Sequence, residues 1–248
     1  MADRTVDQLK GPVLIELCLL LCDFLGDLDL GVKLDGLTDD DLYQNITFAA
    51  SLQHSGRDFT ARPAPELDHI AAAVLRRLST GALGDTTLRS PQARYATDAT
   101  LWTVRVADGP ESTTAPDKPV GALWTSSVLP DGTSMWQWGE LAEFGPDRPP
   151  YTVTFDPEGI RLFTIDSPSD YARLVDRYPC SSNGRAQVCW SRAAEDLDAV
   201  HLTVRGLLTA QHVPVETSQG TAILTGWDAE STAWLHLPNV FEMTPATA

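Results

Sequence analysis

The sequence predicts an α+β fold, on three observations. Through the first ninety or so residues, apolar side chains recur at three- and four-residue spacing, the period of amphipathic helices. From about Tyr95 onward the texture changes to short runs rich in Val, Ile, Thr and aromatic residues, separated by Gly, Pro and Asp clusters. A hydrophobic fraction of 43% over 248 residues supplies the core of one large domain or two small ones. The division falls between residues 92 and 93, giving a helical N-terminal region (1–92) and a mixed, mainly antiparallel α+β domain (93–248).

Taken in order, the first element is a buried helix in "GPVLIELCLLLCDFLG", with Pro12 in its first turn and Gly26 as its stop. Glu16 and Asp23 interrupt the run and no small-x-small site follows, so it reads neither as a signal peptide nor as a membrane span. Thr38 with Asp41 three residues later forms a capping box ahead of Leu42, Ile46, Ala49 and Ala50, a helix expected to end near Gly56. A third helix follows "RPAPE", with Leu67, Ile70, Ala71, Val74, Leu75 and Leu78 in one stripe, closed at Gly81 and Gly84. Strands are expected in "TLWTVRV" (100–106), "GALWTSS" (121–127), "YTVTF" (151–155) and "IRLFTI" (160–165). Three more are expected in "AVHLTV" (199–204), "TAILTG" (221–226) and "STAWLHL" (231–237). One helix interrupts them, "PSDYARLVDRYP", capped by Ser167, started by Pro168 and ended by Pro179. Long loops span 108–120 and 129–150.

Charge narrows the partners. With 34 Asp+Glu against 18 Lys+Arg, the formal charge of −16 repels phosphate backbones and anionic headgroups, so neither nucleic acid nor a membrane is expected as a partner. The four cysteines fall in two pairs, Cys18 with Cys22 and Cys180 with Cys189, and neither spacing resembles a zinc site. The first pair reads as buried apolar residues, while the second fits either a loop disulfide or two reduced thiols. The weight falls on a cytoplasmic protein, and secretion as an effector stays open. No two histidines stand at metal-ligand spacing, and His201 reads as a core or edge histidine on a strand. Walker, Rossmann and nucleophile-elbow motifs are all missing from the sequence.

Three fragments carry the candidate chemistry. In "GWDAESTAWLHLP" (226–238), a strand beginning near Asp228 places Asp228 and Glu230 on one face, where like charges need a cation, solvent or a substrate hydroxyl. In "GALWTSSV", Thr125, Ser126 and Ser127 are three consecutive hydroxyls at a strand end, suited to capping backbone groups or holding a sugar. In "TLWTVRV", Arg105 is a lone cation on an apolar run. Trp136 and Trp138, two apart in a Gly/Pro-rich loop, share a face if extended, where they either stack a flat ring or plug the mouth of the core. Trp227 and Trp234 read as packing anchors.

In this order the fragments resemble the ADP-ribosyltransferase superfamily, in its branch with an Arg, a Ser-Thr-Ser strand and a Gln/Glu-x-Glu turn, and "ESTAWLHLPNVFEM" continues like that family into an apolar strand with Pro238 and Phe241. The resemblance covers about 95–245 and implies two packed, bent sheets with NAD, as substrate, in the cleft between them. It assigns the dinucleotide's phosphates to Arg105 and support of the nicotinamide ribose and the catalytic glutamate to Thr125, with Ser126 and Ser127 beside it. Glu230 becomes the catalytic glutamate, stabilising an oxocarbenium-like cation as nicotinamide leaves, and Asp228 faces the acceptor. The family has Gln or Glu at the position of Asp228 and Ser at that of Thr125. The shorter Asp228 leaves the acceptor open among protein side chain, small molecule and water. The expected function is therefore a toxin-like ADP-ribosyltransferase or NAD glycohydrolase, of the glycosyltransferase class. The alternative is a non-enzymatic binding or interaction protein on the same fold.

Overall fold

The computed structural model describes residues 9–25, 34–56, 58–108, 117–182 and 185–246. Gly26, the expected stop of the first helix, lies outside them, as does most of the 108–120 loop. Among the described residues, the N-terminal region holds a two-residue strand β1 (Leu9–Lys10) and the helices α1 (Pro12–Leu25), α2 (Asp39–Ser51) and α3 (Asp68–Thr80). β1 pairs with β2 (Arg62–Pro63). The capping box at α2 forms as the sequence predicts: the Thr38 hydroxyl accepts from the Asp41 amide, and the Asp41 carboxylate accepts from the Thr38 amide. A short 3-10 turn continues α2 to His54, and Gly56, at φ +74°, ends it in a conformation that suits glycine.

The remainder is a mixed α+β assembly. Its larger sheet has seven strands in the order β13-β5-β3-β4-β12-β9-β6. They are β3 (Gln92–Tyr95), β4 (Leu123–Ser127), β5 (Pro150–Phe155), β6 (Leu162–Ile165), β9 (Ala199–Leu202), β12 (Ser231–Trp234) and β13 (Phe241–Pro245). All neighbours are antiparallel except β6 and β9. A four-stranded sheet, β10-β11-β8-β7, lies apart from it. It is built from β7 (Pro179–Ser182), β8 (Arg185–Val188), β10 (Pro214–Thr217) and β11 (Gly220–Ile223). Helices α4 (Gln137–Glu143), α5 (Pro168–Arg177), α6 (Trp190–Asp196) and α7 (Val204–Thr209) connect the strands. Ser167 caps α5, as expected, and Thr203 caps α7 by accepting from the Gly206 amide. Gly206 packs so closely that a Cβ there would strike the Ile165 carbonyl of β6.

Two expectations about elements need correction. Residues 100–106 are not a strand: only Ala107 bridges, to Val120. Both edges of β4 are already paired, to β3 and β12, so the run has no free edge there and instead packs Leu101 and Val104 onto a small apolar cluster. The 129–150 loop contains α4, so Trp136 and Trp138 do not alternate on an extended segment; Trp136 is the residue preceding the helix.

One apolar core runs through both regions. Val13 and Leu17 of α1, Ile46 of α2 and Val74 of α3 belong to the same buried cluster as Leu207, Trp227 and Leu235. The helical region thus completes the core of the sheet rather than enclosing one of its own. A second cluster on the sheet packs Leu123, Val153, Phe155 and Trp234, with Phe155 edge-on to Trp234 at 4.8 Å. Such aromatic pairs add about 1 kcal/mol beyond the area they bury.

Candidate functional site

A cleft of about 960 Å³ opens between the large sheet, α2 and α4. This is not the expected position between the two sheets. Its walls carry Trp102, Trp124, Trp136, Trp138 and Trp227, together with the cations Arg94, Lys118 and Arg148. The aromatic rings and cations are locally ordered. Arg94, on β3, donates from Nη1 to the Trp124 carbonyl at 2.8 Å and sits over the Trp102 ring at 4.9 Å. Arg148 stacks over Phe144 at 4.3 Å and pairs with Glu140 at 3.3 Å. Lys118 donates to the Gly226 carbonyl at 3.1 Å.

Three buried polar atoms on residues lining this cleft have no hydrogen-bond partner among the described residues, Oγ1 of Thr47, Nε of Arg94 and Oε2 of Glu140. The Arg94 atom is a donor, the Glu140 atom an acceptor and the Thr47 hydroxyl either. Burial lowers the Arg94 pKa and Arg148 beside it acts in the same direction, while burial and Glu143 raise that of Glu140. An unmet buried donor or acceptor costs about 1–3 kcal/mol. The flat rings and the Arg94 guanidinium suit a planar ligand that carries an anionic group, the class to which nucleotides belong, while Glu140, Glu143 and Asp228 on the same walls offset the three cations.

Glu230 lies immediately behind this wall. Ala229 and Ser231 on either side line the cleft, while Glu230 itself is only 1% exposed. Three residues seat its backbone and acid. Trp136 Nε1 donates to the Glu230 carbonyl at 2.8 Å, and the Glu230 amide meets the Tyr43 hydroxyl of α2 at 3.3 Å. Ser127 clamps the carboxylate with two donors, its hydroxyl to Oε1 at 2.7 Å and its amide to Oε2 at 3.1 Å. Burial pushes the Glu230 carboxyl up to about 7, with the two Ser127 hydrogen bonds opposing.

From Glu230 a buried line of polar groups runs across the sheet. His201 Nδ1 is 3.6 Å from Glu230 Oε1 and 3.0 Å from Thr232 Oγ1. Gln92 Nε2 donates to Thr232 Oγ1 at 3.0 Å, Thr125 donates to Gln92 Oε1, and Trp234 Nε1 donates to Thr125 Oγ1 at 2.8 Å. Strand register produces the line, since Ser127 pairs with Gln92, Thr125 with Thr232, and Thr232 with His201. Burial lowers the His201 pKa to about 4, so near neutral pH the ring is uncharged and its approach to Glu230 is a dipolar contact rather than an ion pair.

The structure brings some of the sequence-derived candidates together and separates others. Glu230 and Ser127 meet, so the hydroxyl that supports the glutamate is Ser127, two residues beyond the expected Thr125. Thr125 is fully buried and satisfied by Gln92 and Trp234, away from the cleft lining. Ser126, on the opposite face of β4, bonds Ser134 at 3.0 Å. Asp228 and Glu230 do not share a strand face, because β12 starts only at Ser231 and the chain bends at 229–230. Asp228 lines the cleft, exposed, 3.3 Å from His54 Nε2, while Glu230 turns inward to Ser127. Arg105 is exposed beside Gly121, at the far end of β4 from Ser127, and makes no ion pair among the described residues. Trp136 and Trp138 do line the cleft, although from α4. Trp138 also donates to Asp40 at 3.2 Å.

Sequence reasoning missed Arg94, Gln92 and Glu140. "QARY" contains no β-branched residue to mark it as a strand, and its pairing with both β4 and β5 is a long-range choice. The available signal was an Arg one strand ahead of "LWTSS", a description that Arg94 fits as well as Arg105 did. No protein-family model, curated protein or solved structure matches this chain.

Proposed function

We propose that the tryptophan-lined cleft binds NAD and that the protein cleaves the nicotinamide–ribose bond, with Glu230 as the catalytic carboxylate. The observation that carries this reading is the clamp of Ser127 on Glu230, set directly behind a cleft whose flat rings and cationic fork suit a dinucleotide. Arg94 takes the phosphate-binding role first given to Arg105. It stands two residues along β3 from Gln92, which pairs with Ser127, so its Cα lies about 7 Å further along the strand. As the C–N bond breaks, its electron pair leaves with nicotinamide. The ionised Glu230 then offsets the positive charge on the ribose until a nucleophile adds and loses its proton. Asp228, on the open side of the cleft, is placed to meet that nucleophile.

Incubation with NAD and chromatographic measurement of free nicotinamide tests the assignment. Wild type releases nicotinamide, and Glu230→Gln, which keeps the shape without the charge, loses at least about 100-fold in rate, typical of removing an electrostatic stabiliser. Equal rates in the two proteins defeat the assignment. A second reading, binding without turnover, is favoured by the 1% exposure of Glu230. NAD that quenches tryptophan fluorescence with no nicotinamide released decides for it.

A further inference from the structure

The strongest feature unused by this site lies on the smaller sheet. Asp108, Cys180 and Cys189 bring one carboxylate oxygen and two sulfurs within 4.8 Å of one another, although the cysteine spacing alone gives no metal signature. Cys180 is on β7 opposite Gln187 of β8, and Cys189, just past β8, donates its amide to Tyr178 at 2.7 Å. The two cysteines are therefore diagonal neighbours on one face of the hairpin.

Diagonal Cα atoms in an antiparallel pair are about 7–8 Å apart, beyond the roughly 4.4–6.8 Å that a disulfide spans without moving the backbone. A tetrahedral ion with metal–sulfur bonds of about 2.3 Å instead holds two thiolates about 3.8 Å apart, a looser requirement that this hairpin meets with less movement. The third donor is already oriented. The Ser191 amide and hydroxyl donate to the Asp108 carboxylate at 3.0 and 2.7 Å, and Asp108 Oδ2 lies 3.9 Å from Cys189 Sγ. This is the support that a ligating carboxylate receives in built metal sites. Cys189 is buried, Cys180 half-buried and Asp108 exposed, so the group opens to solvent on the carboxylate side.

We propose that Asp108, Cys180 and Cys189 form a three-ligand site for zinc or a similar thiophilic divalent cation, with water in the fourth position. Binding exchanges two S–H bonds for two metal–thiolate bonds and releases two protons, so affinity rises with pH. The ion ties the chain at Asp108 to the β7–β8 hairpin, whose Val188 amide and neighbouring Trp190 both donate to Asp117 beneath Trp227.

Cobalt(II) titrated into the reduced full-length chain tests the site. A thiolate-to-cobalt charge-transfer band is expected, saturating at a single equivalent, displaced by zinc and retained when Cys18 and Cys22 are both changed to Ser. Cys180→Ser and Cys189→Ser each abolish it. Ser191→Ala leaves all three ligands in place and weakens binding about 10–100-fold. No band, or a band that survives the loss of Cys180 and Cys189, overturns the proposal. Should the serine variants fail to fold, alkylation of the wild type decides: zinc protects Cys180 and Cys189, and equal labelling with and without zinc contradicts the site.

Discussion

In the proposed reaction Glu230 faces two opposing demands. Stabilising a cation requires its ionised form, while burial favours the neutral acid and raises its carboxyl from 4.5 to about 7. The groups that face it stay uncharged near neutrality: His201 titrates near 4, and burial and Glu230 itself raise the Tyr43 hydroxyl far above its usual range. Between the unfolded and folded values the native chain keeps a proton that the unfolded chain has released. Stability therefore falls as pH rises through that window, by on the order of 3 kcal/mol for a shift of this size. Turnover in the proposed reaction is expected to move the other way, climbing with the ionised fraction of Glu230 through about pH 7. Ser127→Ala removes the hydroxyl donor at 2.7 Å and leaves the amide, so the rising limb of kcat/KM moves to higher pH. A pH profile that Ser127→Ala leaves in place refutes the role given to the clamp. The Glu230–Ser127 contact itself was within reach of the sequence, because a glutamate before one strand and a serine ending another can meet once the strands pair. What could not be read was the register, which made Ser127 rather than Thr125 the partner.

At the scale of elements, what the sequence revealed was local and what it hid was long-range. The Thr38–Asp41 box, the stripe of α3 and the Ser167 cap depend on residues three or four apart, and all stand as expected. Helix α2 also lines the cleft with Gln44, Phe48 and Ser51, so its N-terminus bears on the site. Thr38→Ala is expected to cost about 1 kcal/mol, read as a lower denaturant midpoint with an unchanged slope. A midpoint equal to that of the wild type contradicts the cap. By contrast, "TLWTVRV" has strong strand propensity and forms no strand, while "QARY" has little and forms a central one. Edge availability decided both, and a short window of sequence does not contain it. Helix α4 was hidden for a related reason, since a Gly/Pro-rich frame surrounds its single helical stretch.

Across the whole molecule, the distribution of charge matters more than its sum. A net charge of −16 disfavours anionic ligands, yet Arg94, Lys118 and Arg148 gather at one aromatic-walled cleft, where Glu140, Glu143 and Asp228 match them in number. The cleft lining is thus charge-balanced rather than acidic, so an anion meets less repulsion there than the average charge of the chain imposes. The helical region builds one side of that cleft and shares the sheet's core, so the division at residues 92 and 93 marks a change of texture within one packed body. The mixed α+β class and the helical first region were legible as pattern. The identity of the cationic fork was not, because Arg94 and Arg105 differ only in where the chain takes them. Titration of NAD against intrinsic tryptophan fluorescence measures this difference in wild type, Arg94→Ala and Arg105→Ala. The account predicts quenching in wild type and Arg105→Ala, with affinity reduced at least about tenfold in Arg94→Ala by loss of a charged hydrogen-bonding partner. Affinity unchanged in Arg94→Ala, or lost only in Arg105→Ala, contradicts it.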